Sequence, residues 1–102
     1  MTRWYDMDGN ELHDMDEVER LLINADARRI AFTELGDVRV STILLVLDHN
    51  FGPGPPMIFE TMIFGGGEEL DGWCERTPNK IAALAAHDRA VAYVREELKQ
   101  HH

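Results

Sequence analysis

A single cysteine, Cys74, means that no disulfide can close within the chain, and no apolar run approaches the roughly 20 residues that span a bilayer. Cations are scarce. Ten Lys and Arg stand against 19 Asp and Glu, and the formal net charge of −9 opposes attraction to DNA, RNA or an anionic membrane surface. The start of the chain does not combine a charged segment with an apolar signal core, so the reading is a cytoplasmic protein. Gly65-Gly66-Gly67 lacks the following Lys-Ser/Thr of a phosphate-binding loop, and Glu68, Glu69 and Asp71 would repel a phosphate from it. Asp71 and Glu75 also disfavour a thiolate at Cys74, which reads as a packing residue beside Trp73. No cofactor is implied, and the His101-His102 pair is left out of the functional reading because terminal histidines bind metal adventitiously.

What is present fits one domain of 102 residues, 1–102, with one modest core. Residues 3–7 read as a short strand with Asp8-Gly9 as its turn. From Asp14, a suitable N-cap, Met15, Val18, Leu21, Leu22 and Ala25 recur at helical spacing, so a first helix is predicted over about 14–26. Asp16, Glu17 and Glu19 in its opening turns complement the helix dipole, which gives the acidic N-terminal end a structural cause. Residues 28–35 and 38–47 are rich in β-branched residues and are separated only by Gly36-Asp37, the length of a tight hairpin turn. Residues 57–64 return as a third strand, and Trp73-Cys74-Glu75-Arg76 is an optional fourth. Thr77-Pro78 is the predicted start of a last helix to about residue 99, with Leu84, Val91, Val94 and Leu98 as its apolar face, Ile81 at one margin and Ala83 and Ala90 at the other. The expected class is α+β: an antiparallel sheet of three to five strands with two helices, in the order strand, helix, strand, strand, strand, optional strand, helix.

The segment Asp48-His49-Asn50-Phe51-Gly52-Pro53-Gly54-Pro55-Pro56 is longer than a hairpin needs and is stiffened by three prolines. Together with Val40-Ser41-Thr42, Leu47, Phe59-Glu60-Thr61-Met62 and Phe64-Gly65-Gly66, it resembles a family of small, functionally uncharacterised proteins of phages and prophages, especially those of actinobacteria. The resemblance covers residues 39–67, with weaker matches at Tyr5-Asp6-Met7-Asp8-Gly9, at Glu75-Arg76 and at Ala86-His87, where the family more usually has Gly-His. It implies a phage-type origin and a common fold, and no mechanism.

Six residues are candidates for a binding site: Asp48, His49, Asn50, Phe51, Glu60 and His87. Asn50 and Phe51 offer hydrogen bonds and apolar area on the stiff loop, against a bland alternative in which Asp48 or Asn50 caps the turn and Phe51 plugs the sheet end. Glu60 shares a strand face with Ile58, Met62 and Phe64, where a carboxylate needs a partner; Arg28, Arg29, Arg39 and His87 are the candidates. His87 falls inside the apolar stripe of the last helix, where it is either a satisfied core histidine or a functional group facing the sheet. The leading reading is a non-catalytic domain that binds another protein, with no direct contact to nucleic acid or membrane and with self-association left open. Two alternatives stand beside it. One is an acidic mimic of nucleic acid that inhibits a host defence protein. The other is an enzyme or metal protein built on Asp48, His49, Glu60 and His87, whose spacing matches no metal motif.

Overall fold

The computed structural model describes residues 3–50 and 52–100; Met1, Thr2, Phe51 and the terminal His101 and His102 lie outside the described residues, and with them the expectations for Phe51. Two β-rich runs flank Gly36, whose φ of 64° admits the tight turn, and they form β3 (Arg29–Leu35) and β4 (Val38–Leu44). β5 (Phe59–Phe64) pairs with β4, and β6 (Cys74–Thr77) pairs with β5, giving a four-stranded antiparallel sheet in the order β3-β4-β5-β6. A second, two-stranded sheet joins β1 (Trp4–Tyr5) to β2 (Glu11–Leu12), a strand that the sequence reading did not anticipate. The class is α+β.

The first helical segment is shorter than its periodicity suggests. α1 (Met15–Ile23) opens where expected, with the Asp14 carboxylate accepting from the Asp16 N–H, but it stops at Asn24, whose side chain caps a separate turn, α2 (Ala25–Arg28). The Arg28 guanidinium then donates to the Leu44 and Leu22 carbonyls and ties this corner to the end of β4.

β4 ends at Leu44, three residues earlier than its apolar run, because Val46 takes a φ of 72°. That conformation strains a β-branched residue. It turns the chain from β5 to β1: the Leu45 N–H still donates to Ile58, whereas Val46 accepts from Tyr5 and Asp48 donates to Arg3. The Val46 side chain is fully buried in the process. After β5, Gly65 and Gly66 both have φ above 80°, and a Cβ on either would stand 2.7 Å from Asp37 or Leu70 atoms, so this turn requires glycine.

α3 (Lys80–Gln100) lies across one face of the four-stranded sheet. Thr77 belongs to β6 and does not cap the helix; the Asn79 side chain does, accepting from the Ala82 N–H. The buried face keeps Val94 and Val91 of the predicted apolar stripe but turns away from Leu84 and Leu98. Ala83, Ala86, His87, Ala90 and Val94 are buried, whereas Leu84, Leu98 and Ile81 are exposed. Short side chains at the centre let the helix backbone approach the sheet, and larger ones are displaced to the margins. Two apolar clusters result. One gathers Tyr5, Val18, Leu44, Val46, Ile58, Phe59 and Ala83; the other gathers Val38, Val40, Ile63, Leu70, Ala90 and Val94.

Candidate functional site

Between the two clusters runs a polar band. Thr42 and Thr61 are directly paired across β4 and β5, point toward α3, and share a hydrogen bond of 2.6 Å between their hydroxyls. His87, 5% exposed, descends from α3 onto this pair: its Nδ1 lies 2.8 Å from Thr42 Oγ1, and its Nε2 lies 2.9 Å from Thr33 Oγ1 on β3. The neutral ring satisfies all of these bonds. With the proton on Nε2, the ring donates to Thr33, Thr42 donates to Nδ1, and Thr61 donates to Thr42; the other tautomer reverses each bond. Desolvation by burial lowers the His87 pKa from its ordinary 6.5, and the neighbouring Asp88 carboxylate opposes that shift. Both ring nitrogens are engaged by hydroxyls under a helix, so the imidazole has no lone pair directed at a substrate.

Glu60 lies on the opposite face of the sheet. Its side chain is mostly buried and is bridged by Arg76 Nε at 3.0 Å, a partner on β6 that none of the sequence candidates anticipated. The register explains the pairing, because Glu60 and Arg76 are cross-strand neighbours. Ile58, expected on the same face, is instead in the core beside Phe59. Among the described residues no helix lies on the face that holds Glu60. That face presents three transverse rows: Glu34, Arg39 and Phe64; then Phe32, Ser41, Met62 and Cys74; then Arg29, Ile43, Glu60 and Arg76. Phe32 and Phe64 are 41% and 40% exposed, and the Arg29 guanidinium stands 4.7 Å from the centre of the Phe32 ring.

The loop at residues 48–57 is braced from within. Asp48 Oδ1 accepts from the Asn50 and Met57 N–H groups at 2.8 and 2.9 Å and closes the neck, where the His49 N–H also donates to the Met57 carbonyl. Asn50 holds the interior, donating to the Pro53 and Pro55 carbonyls and accepting from the Gly52 N–H. Its amide is therefore spent on shaping the loop, and residues 52–55 form the exposed tip.

The five candidates among the described residues do not form one cluster. Asp48, His49 and Asn50 belong to the loop, Glu60 to the open sheet face, and His87 to the interior under α3, while Phe51 lies outside the described residues. Among the described residues no group of three or more His, Cys, Asp or Glu side chains is placed to hold a metal ion. Thr33, Thr42 and Thr61 were missed, although a threonine at the centre of a buried strand face was the available signal. Among the described residues no helix is long and apolar enough to cross a membrane. Comparison with protein-family models, with curated proteins and with solved structures finds no match to this chain.

Proposed function

We propose that this chain is a small phage-type accessory protein that acts by binding another protein, without a catalytic step of its own, and that the loop at residues 48–57 is its principal contact. The observation that carries this reading is the internal bracing of the loop by Asp48 and Asn50. A loop ordered before binding loses less conformational entropy when a partner arrives, so its exposed tip is a better recognition element than a slack connection of the same length. The separation of His87 from Glu60 and Asp48 supports binding over catalysis, since no acid, base and nucleophile share a pocket among them.

The test is affinity capture from an extract of the host bacterium with the wild-type protein and with Asn50→Ala, followed by titration of the recovered partner. Loss of the Asn50 braces should weaken that complex by about tenfold, equivalent to roughly 1.4 kcal/mol of ordering cost, without a change in the far-UV spectrum. Unchanged affinity would remove the loop from the interface and direct attention to the acidic N-terminal third.

A further inference from the structure

The uncovered face of the four-stranded sheet has a charge pattern that selects an occupant. Three arginines and two glutamates make it slightly cationic in a chain of net charge −9, so two copies repel each other through the rest of their surfaces and least through this one. We propose that this face is covered by the same face of a second copy, in a reversible two-fold dimer whose axis runs across the strands along the row of Phe32, Ser41, Met62 and Cys74. This inference concerns a surface separate from the loop and holds whether or not the loop binds a partner.

The register fixes the orientation. An axis along the middle row exchanges the two outer rows, so that Glu34 of each copy meets Arg29 of the other, twice by symmetry. Arg39 then lays its aliphatic stem over Ile43, and Phe64 covers the Glu60–Arg76 pair. The other in-plane two-fold, parallel to the strands, would set Arg29 against Arg76 and is disfavoured by like charge. Sheets that pack face to face lie about 10 Å apart and bury alternate residues of each strand, which on this face include Phe32, Ile43, Met62 and Phe64. The three rows hold fewer residues than the roughly 20–30 per side of a standard interface, so the dimer is weak and depends on concentration.

Cys74 supplies the measurement. It lies on the axial row and is exposed, so the two copies place their Cys74 residues opposite each other across the gap of about 10 Å. Sedimentation velocity over a concentration series should show a monomer–dimer equilibrium. Phe32→Glu, and independently Phe64→Glu, should raise its dissociation constant at least about tenfold with an unchanged far-UV spectrum, because each exchanges a covered aromatic ring for a carboxylate that faces another across the axis: position 32 meets itself and position 64 meets Glu60. A bis-maleimide with a spacer of about 10 Å should join the wild type into a covalent dimer, and should fail with Cys74→Ser and with Phe32→Glu. A monomer across the whole concentration range would overturn the proposal. So would a dimer indifferent to both charge insertions, or one that the reagent does not join at Cys74.

Discussion

His87 acts on stability through its protonation state. Burial holds the folded-state pKa below 6.5, the value of the unfolded chain, so above about pH 6.5 the ring is neutral in both states and its contribution is complete. As the pH falls below 6.5, the unfolded chain takes up the proton first, and stability is lost until the pH has passed the lowered folded pKa. Urea denaturation of the wild type and of His87→Phe between pH 7.5 and 5 isolates this contribution, since the other titrating groups are common to both. The variant should lose that part of the pH dependence; parallel curves would show that His87 does not bind its proton differentially. At pH 7.5 the substitution should cost about 1–3 kcal/mol, because the Thr42 and Thr33 hydroxyls lose their ring partners. The helical position of His87 is legible in the sequence, three residues from Leu84 and four from Val91. Its partners Thr33 and Thr42, and Thr61 behind Thr42, are not, because they come from three strands whose register is fixed only when the sheet assembles. The same limit hid Arg76 from the search for a Glu60 counter-ion.

At the scale of elements, hydrophobic periodicity located the helices and strands better than it oriented them. The β3–β4 hairpin follows from β-branched runs around Gly36-Asp37, and β5 from the apolar return at residues 57–64. The extent of α3 is also legible, and Val91 and Val94 of its predicted face are packed, but Leu84 and Leu98 are displaced from the buried face by Ala83, Ala86 and Ala90. Leu84 is 42% exposed, so Leu84→Ala should cost less than about 1 kcal/mol, well below the 2–5 kcal/mol of a fully buried leucine. Ala90 is completely buried between helix and sheet, and Ala90→Leu should destabilise by about 1–3 kcal/mol through overpacking. Chemical denaturation midpoints of the two variants decide between the faces: a larger loss for Leu84→Ala than for Ala90→Leu would restore the aliphatic stripe. The early end of β4 was not legible for a different reason. Nothing in Leu45-Val46-Leu47 announces a positive φ at a valine, which the chain accepts there because the turn at Val46 hands its backbone bonding from β5 to β1.

For the whole molecule, the distribution of charge and the division of the core lead to separate expectations. A net charge of −9 opposes phosphate contact, so labelled duplex DNA and RNA should show no saturable binding at micromolar protein even in low salt, where the electrostatic term is strongest; salt-sensitive binding would contradict this. The core raises the question of whether one folding unit or two is present, because the Thr42–Thr61–His87 band separates the apolar clusters. Two features couple them. α3 contributes Ala83 to one cluster and Ala90 and Val94 to the other, while β4 and β5 each run through both, from Leu44 to Val40 and from Phe59 to Ile63. The band is bonded from strand to strand and strand to helix, so separating the clusters would expose a satisfied polar network together with apolar surface. The chain should therefore unfold in one cooperative transition. Its two tryptophans provide the probes, since Trp4 packs against the first cluster and Trp73 against the second. Fluorescence melts of Trp73→Phe, which retains Trp4, and of Trp4→Phe, which retains Trp73, should each coincide with the same variant's helix melt by far-UV circular dichroism. If either indole reports a transition displaced from the loss of helix in its own variant, the polar band is a boundary across which the clusters unfold separately.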